Sequence, residues 1–367
     1  MEQLQKIFIL GPGRSGTTLM CNLLDNHPDL CVYPIEVSRF LTEFFNHANF
    51  SAESVLSEMN RKMYGSLGVA DFGGIRESNV NMPVFDLKRL DKKIFWESMN
   101  DHPDSVISLD KYLDKIFMSL QKCMGDKTNK KSGVMDVTSP HIERYLKYLP
   151  TSKIIFMIRH PWSCYNSYKK VYFQNVDHVL QVPILGTYFP DIFLDTLRET
   201  FRNLKLFQDN PRVLIVRLED LQSNPEPIMR KVANFLEVPF TESMLQLSVL
   251  GKPFAGNTFK RNPNIVSDEI VSLDYSDNFL TDDEKHILSK IIPDTPFYKI
   301  DYRETQPKPL GFWRFISYFP GWWKTKKQFP QNFITLINGL YLYIKVYKSY
   351  GRFVQKRRTQ IEEGFLV

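Results

Sequence analysis

The sequence is poor in cysteine, in long apolar runs and, near its C-terminus, in acidic residues. Its four cysteines have no metal-ligand spacing, so we expect buried free thiols in a reducing compartment, which favours a cytoplasmic location. The most apolar late stretch, residues 333–344, is too short to span a bilayer. Because the chain enters a predicted strand almost at once, we also expect no N-terminal signal peptide or membrane anchor. The remaining composition, 43% hydrophobic and 24% charged, is that of an ordinary globular protein.

Acidic residues are missing from residues 305–361, which contain eleven Lys or Arg and no Asp or Glu. The rest of the chain has 36 basic and 41 acidic residues, a net charge of −5. Aromatic residues interleave with the basic ones, a composition typical of segments that bind anionic membrane surfaces. A helical cap packed on the domain is the alternative, and the two can coexist. Nucleic-acid binding is disfavoured because no known nucleic-acid module precedes this basic aromatic C-terminal extension, 305–367.

The most informative segment is a glycine-rich turn that follows an apolar run, Lys6–Met20 (KIFILGPGRSGTTLM). In such a turn, glycines let the backbone approach an anion, and the N–H groups and dipole of the following helix face it. The spacing nearly fits the ATP-binding P-loop, but Thr17 occupies the lysine position and a cation comes earlier, at Arg14. The segment therefore predicts a site for a phosphate-like group that does not handle Mg-ATP in the usual way.

Strands alternate with helices along the chain, which predicts an α/β fold with a P-loop-NTPase-like parallel sheet and helices on both faces. The predicted strands are 6–11, 30–33, 153–159 and 212–217. The predicted helices are 15–26, 141–148, 161–172, 191–209 and 225–236, the last with Asn224 as its N-cap. Because ligands bind at the carboxyl ends of parallel strands, the Gly11 turn, Arg159 and Arg217 are candidate anion-binding residues.

Residues 36–130 interrupt this alternation, and we interpret them as a helical insertion that shapes an acceptor pocket. Its helical periods are 38–46, 52–63 and 109–124. The core is expected to return at Pro140. The strands, helices and insertion together form one predicted domain over residues 1–304, ahead of the C-terminal extension.

Several separated motifs resemble those of sulfotransferases that use 3′-phosphoadenosine 5′-phosphosulfate (PAPS). Gly13–Met20 resembles the family's 5′-phosphosulfate loop, in the form seen in tyrosylprotein, bacterial and carbohydrate sulfotransferases. Ile158–Pro161 and Ser167 resemble its 3′-phosphate motif, an arginine that ends a strand with a serine eight residues later. Arg217–Pro225 and the late loop Gly256–Phe259 are weaker matches. The resemblance covers about residues 5–40 and 132–300.

The resemblance implies a PAPS-dependent sulfotransferase that needs no metal, and it assigns roles to individual residues. The residues that hold the 5′-phosphosulfate group are Gly13, Arg14, Ser15, Gly16, Thr17 and Thr18. Those that hold the 3′-phosphate are Arg159 and Ser167. Further cofactor-binding candidates are Arg217 and Lys260. Arg14 is also a catalytic candidate, because its planar guanidinium matches the sulfuryl oxygens on which negative charge spreads.

A general base must accept the proton of the acceptor hydroxyl, and Glu36 is the candidate. Glu36 follows the strand predicted over 30–33, and in relatives an acidic residue of this segment serves as the base. The alternative is a structural role, in which Glu36 pairs with Arg39 or caps a helix. His102, His141 and His160 are reserve candidates.

One position departs from the family pattern. Many relatives carry a lysine in a Lys-Thr-Pro or Lys-Asp-Pro segment ahead of the 3′-phosphate strand, and that lysine assists the leaving group. The equivalent segment, Met135–Pro140 (MDVTSP), has no lysine. Either Arg14 carries this role alone or another cation, Lys127, Lys131 or Lys260, reaches the site.

The sequence thus predicts transfer of a sulfuryl group from PAPS to a small-molecule, glycan or lipid acceptor, by an enzyme that is cytoplasmic or peripheral on a membrane. An ATP-dependent P-loop kinase is the alternative enzyme, but it normally needs the lysine that Thr17 replaces. A non-catalytic nucleotide-binding protein is the third possibility, because the leaving-group lysine is absent.

Overall fold

The computed structural model describes residues 4–34, 36, 37, 41, 94, 97, 98, 108–125, 130–174, 185–253, 282–292 and 295–298. These residues divide into two compact units. The first unit draws on the segments Met1–Gly11, Ser15–Ile158 and Phe207–Ser272. The second unit draws on Pro12–Arg14, Arg159–Leu206 and Leu273–Val367.

Secondary structure alternates between strands and helices through most of the described chain. The strands are β1 (Gln5–Leu10), β2 (Leu30–Val32), β3 (Ser132–Val137), β4 (Lys153–Ile158), β5 (Val213–Arg217), β6 (Ser248–Val249) and β7 (Lys252–Pro253). The helices are α1 (Thr17–Leu24), α2 (Leu109–Cys123), α3 (Ile142–Tyr148), α4 (Pro161–Gln174), α5 (Leu185–Phe207), α6 (Leu218–Ser223), α7 (Pro225–Leu236) and α8 (Asp282–Ile291). A short 3₁₀ helix covers Glu242–Leu245.

Five strands of the first unit form one parallel sheet in the order β2-β3-β1-β4-β5. Side chains alternate between its faces, and both faces are covered. Ile7 and Ile9 of β1 pack in a cluster with α1 and α7, while the ring of Phe8 contacts Tyr145 of α3 on the opposite face, with centroids 5.0 Å apart. Burial on both sides explains why these strands are continuous apolar runs. The predicted parallel α/β sheet flanked by helices is confirmed.

Strand β3 corrects the expectation that the core returns at Pro140. It lies between β1 and β2 and pairs with both. Its sequence, SGVMDV, mixes apolar residues with Ser, Gly and Asp, so it lacks the uninterrupted apolar run that marks β1 and β4. Gly133 is needed because a Cβ atom there would overlap the ring of Phe117 in α2. The glycine at this position is therefore explained by a contact with α2, which the sequence of the strand itself does not contain.

Helix α2, predicted over 109–124, packs against the sheet through a buried ion pair. The ammonium of Lys6 lies 2.9 Å from a carboxylate oxygen of Asp110 and 2.6 Å from one of Asp114. The Lys6 side chain is only 1% exposed, so these two carboxylates replace the water that it loses. This pair joins the start of β1 to the first half of α2.

The predicted strands and helices of the first unit that fall on described residues lie within about two residues of those observed, and β3 was not predicted. The helical periods at 38–46 and 52–63 lie outside the described residues apart from Leu41, so they stay predictions. Helix α5 begins earlier than expected, at Leu185 rather than at residue 191. Asn224 occupies the N-cap position of α7, but its side chain makes no capping hydrogen bond, so Pro225 at the first helical position defines this end.

Aromatic contacts characterise the second unit. Tyr168 of α4 stacks on Phe193 of α5, with ring centroids 3.9 Å apart and planes 8° from parallel. His160 contacts Trp162 and Tyr298 edge-on. Within the described part of the chain, no helix combines the length and apolarity required to cross a bilayer. Residues 305–367 lie outside the described residues, so the domain boundary at 304 stays a prediction.

Candidate functional site

The glycine-rich turn between β1 and α1 has a backbone that only glycine adopts readily. Gly16 has a φ of 94°, in the left-handed region, and a Cβ atom there would lie 2.7 Å from a methyl group of Leu218. At Gly11, with a φ of 153°, a Cβ atom would lie 2.6 Å from the Ser15 hydroxyl oxygen. These close approaches fold the turn tightly over the carboxyl end of β1.

The Ser15 hydroxyl in this turn is fully buried, and it has no hydrogen-bond partner among the residues that the structure describes. Buried hydroxyl groups normally have a partner, because their desolvation is costly. Helix α1 begins two residues later, at Thr17. The first N–H groups of this helix and the positive end of its dipole therefore follow Ser15 directly along the chain. The turn thus fits an anionic oxygen that accepts hydrogen bonds.

The Thr18 hydroxyl is used within the protein. It donates a hydrogen bond of 2.8 Å to Oδ2 of Asp136, near the carboxyl end of β3. The neighbouring Thr17 hydroxyl lies 3.4 Å from that of Thr138. The two threonines predicted to bind phosphosulfate therefore contact Asp136 of β3 and Thr138, the residue that follows this strand.

Asp136 and Glu36 are brought close to each other in the first unit. The Val37 N–H donates to the carbonyl oxygen of Asp136 at 2.9 Å, which holds the Glu36 segment beside β3. Burial raises the pKa of Asp136 to about 7, and the charge of Glu36 acts in the same direction, while the hydroxyls of Thr18 and Thr17 oppose the shift. Glu36 itself is exposed. The pair combines an accessible carboxylate with a buried neighbour that holds a proton readily.

Sequence reasoning missed Asp136 as a functional residue. Its segment departs from the family pattern through the missing lysine, and the mixed sequence SGVMDV does not predict a strand there. No signal along the sequence finds it, because its position beside the first turn of α1 follows from the pairing of β3 with β1.

In the second unit, the two predicted anion-binding motifs meet. Nε of Arg14 donates to the Ser167 hydroxyl at 3.1 Å, and the Arg159 guanidinium donates to the Arg14 carbonyl oxygen at 3.3 Å. The Cys164 thiol donates to the carbonyl oxygen of Gly13 at 3.1 Å. Arg14 has a φ of 71°, which is uncommon for a residue with a side chain, so these contacts stabilise an unusual backbone.

The electrostatics of these two arginines favour an anion. Burial lowers the pKa of Arg14, and the nearby positive charge of Arg159 lowers it further, which means that each guanidinium repels the other. Among the residues described, no carboxylate lies within ion-pair distance of either one, and Nε of Arg159 has no hydrogen-bond partner. A phosphate or sulfuryl group supplies the negative charge and the acceptor oxygens that this pair lacks.

The other predicted site residues have different positions. Arg217 pairs with Asp220 of α6 at 3.5 Å, which gives it a structural contact. Lys131 is exposed, and its carbonyl oxygen accepts from the N–H of Gln5. Lys127, Lys260, His102, Arg39 and the late loop Gly256–Phe259 lie outside the described residues. All four cysteines are free and buried, as expected.

Comparison with models of protein families gives a match over most of the chain. A model described as the sulfotransferase family matches residues 6–242. A search of curated protein sequences finds no significant match.

Solved structures give more distant likenesses. The sulfotransferase domain from the curacin biosynthetic pathway is 18% identical, with 67% of this chain and 78% of that one covered and a TM-score of 0.38. A sulfotransferase from Mycobacterium avium is 17% identical, with 66% of each chain covered and a TM-score of 0.38. A retinol dehydratase solved with androsterone and the inactive cofactor PAP is 12% identical, with 65% and 61% covered and a TM-score of 0.26. At these identities and TM-scores the structures carry no conclusion about function, and the assignment depends on the family match.

Proposed function

The chain belongs to the sulfotransferase family, and from this premise we propose that it transfers the sulfuryl group of PAPS to a hydroxyl or amine of a small-molecule, glycan or lipid acceptor. The observation that carries the proposal is the pair Arg14 and Arg159. Two neighbouring guanidinium groups without a described carboxylate partner are suited to a ligand with several anionic groups, as PAPS has.

Arg14 is the proposed main cation of the reaction. Bound PAPS would supply a sulfate–phosphate anhydride, whose S–O bond is the bond to be broken. The S–O bond to the phosphate breaks as the S–O bond to the acceptor forms, and negative charge spreads over the sulfuryl oxygens and the leaving oxygen. Charge neutralisation and in-line positioning supply most of the catalysis in the related phosphoryl transfers. The guanidinium of Arg14 and the buried hydroxyl of Ser15 are the donors that stabilise this charge.

Glu36 is the proposed general base. Its carboxylate is exposed and therefore accessible to an acceptor. The proton of the acceptor hydroxyl passes to Glu36 as the oxygen attacks sulfur, so that no unsolvated alkoxide has to form. Arg159 and Ser167 are the proposed partners of the 3′-phosphate. In that contact the Ser167 hydroxyl accepts from Nε of Arg14 and donates its own proton to the phosphate.

Ligand-dependent thermal unfolding tests this proposal against the ATP-dependent alternative. Adenosine 3′,5′-bisphosphate (PAP) at a hundredfold excess over its Kd should stabilise the protein by about 2.7 kcal/mol, whereas Mg-ATP should not. Arg159→Ala should abolish the shift in Tm, and Arg198→Ala, which removes an exposed arginine of α5, should leave it unchanged. A shift with Mg-ATP and none with PAP would instead support a kinase.

We also propose that the basic aromatic extension docks on an anionic membrane surface, which would place the enzyme at the cytoplasmic side of a membrane. Support comes from the eleven basic residues with interleaved aromatic residues and no acidic ones between 305 and 361. The full-length protein should sediment with phosphatidylserine vesicles but not with phosphatidylcholine vesicles, and the double substitution Lys326→Glu and Lys327→Glu should weaken sedimentation. A protein that sediments with neither kind of vesicle would contradict docking.

A further inference from the structure

Asp136 lies directly against the first turn of α1, where its carboxyl group accepts the Thr18 hydroxyl. We propose that Asp136 couples donor binding to protonation: the loop binds the 5′-phosphate side of the donor when Asp136 is neutral, and ionisation of Asp136 weakens that binding. This inference rests on the proposed function, because it takes PAPS and PAP as the ligands of the loop. Asp136 would act on the donor indirectly, through the Thr18 hydroxyl and through its own charge. It is therefore a positioning residue.

The surroundings of Asp136 favour its neutral form. The residue is 3% exposed, and its Oδ1 atom has no hydrogen-bond partner among the residues described. A single hydroxyl donor and a weaker second one do not replace the water that an ionised carboxylate loses. The resulting pKa of about 7 lies near neutral pH, so the protonated carboxyl group is present under physiological conditions.

The groups that face Asp136 from neighbouring elements add no positive charge. Glu36 contributes a negative charge. Cys21 of α1 is a buried thiol whose pKa is raised well above its usual value, by burial and by the charges of Asp136 and Asp25, so it stays neutral. On β1, the residue in register is the apolar Ile9. The one side-chain charge shown to act on the Asp136 carboxyl among the described residues is therefore the negative charge of Glu36.

A donor phosphate bound at the loop adds another negative charge near this carboxyl. Like charge disfavours ionisation, so binding raises the pKa of Asp136 further. Linkage then requires the protein to take up protons when it binds the donor at neutral pH. By the same relation, donor affinity falls as pH rises from the pKa of the free protein, near 7, to the higher pKa of the complex.

Calorimetric titration of PAP measures this proton uptake directly. At pH 7.5, the binding enthalpy in phosphate and in Tris buffer should differ, because the two buffers release protons with different heats. The wild-type protein should take up more protons per PAP than Asp136→Asn, by a fraction of one proton. The asparagine keeps an oxygen that accepts from Thr18 but has no proton to gain. Protons exchanged by PAP's own phosphates cancel in this difference, because both proteins bind the same ligand.

Two further variants shift the pH dependence in opposite directions. Glu36→Gln removes a charge that raises the pKa of Asp136, so PAP affinity should begin to fall at a lower pH. Thr18→Val removes a hydrogen bond that lowers this pKa, so the fall should begin at a higher pH. Asp209→Asn, which changes a carboxylate in the loop between α5 and β5, serves as the matched control and should behave as the wild type.

The outcomes separate this inference from the proposed function. Proton uptake that is equal in the wild type and in Asp136→Asn overturns the inference while PAP binding still supports the function. If Asp136→Asn does not fold, unshifted pH profiles of Glu36→Gln and Thr18→Val overturn the inference in the same way. A wild-type protein that does not bind PAP overturns both.

Discussion

Replacing Arg14 by lysine should lower kcat by about 10²–10³-fold, the usual loss when one donor to developing negative charge is removed. Lysine keeps the charge but not the planar fork that matches the sulfuryl oxygens. It also loses the Nε–H that donates to Ser167 at 3.1 Å. The measurement is the initial rate of sulfuryl transfer from radiolabelled PAPS, with acceptors taken from a screen.

The matched control is Arg198→Lys on the exposed face of α5, which should retain full activity. Arg159→Lys should behave differently from Arg14→Lys. If Arg159 binds the 3′-phosphate equally in the ground and transition states, its loss raises KM for PAPS and leaves kcat almost unchanged. A nearly normal kcat for Arg14→Lys would show that a positive charge at this position is sufficient for catalysis. The planar guanidinium of Arg14 would then not be what compensates for the missing lysine.

Glu36→Gln should lower kcat by about 10²–10⁴-fold, the range for removal of a general base. PAP binding should stay nearly intact at pH values at which Asp136 is protonated. Glutamine keeps the size of the side chain but accepts no proton at neutral pH. The effect should shrink for acceptors with more acidic hydroxyls, because these need less help to lose their proton. Rates with a series of phenols of decreasing pKa measure this trend.

Glu226→Gln provides the control for Glu36→Gln. Glu226 lies in the first turn of α7 and pairs with Arg230 on the surface at 2.7 Å, a contact of small energy. Full turnover by Glu36→Gln would move the base role to a histidine. Of the reserve candidates, His141 precedes α3, and its backbone N–H donates to the Ser139 hydroxyl. His160 lies between two aromatic rings.

The sequence predicted the parts of the fold that have strong local signals. Strands β1 and β4 are uninterrupted apolar runs, and Pro161 marks the start of α4, so each is visible within a few residues. Strand β3 has no such signal, since Gly133 is explained by the ring of Phe117 and Asp136 by the hydroxyl of Thr18. Both partners are distant in the sequence, and no local pattern contains them.

The candidate site divides in the same way. The loop Gly13–Thr18, Arg159 and Ser167 were predicted from motif spacing, but as separate contacts to the two ends of PAPS. The structure adds that Arg14 and Ser167 are hydrogen-bonded across 153 residues of sequence, and that the Thr18 hydroxyl is directed to Asp136 across 118 residues. These pairings follow from strand order and helix packing, which spacing along the chain does not specify.

The glycine-rich turn, the arginine in place of the usual lysine, and the strand-ending Arg159 were determined by the sequence alone, because backbone freedom, charge and apolar runs are properties of residues and their immediate neighbours. Whether a carboxyl group such as Asp136 is ionised was decided only by the tertiary structure. Its pKa depends on how much water the surrounding strands and helices exclude and on which charges they bring near it.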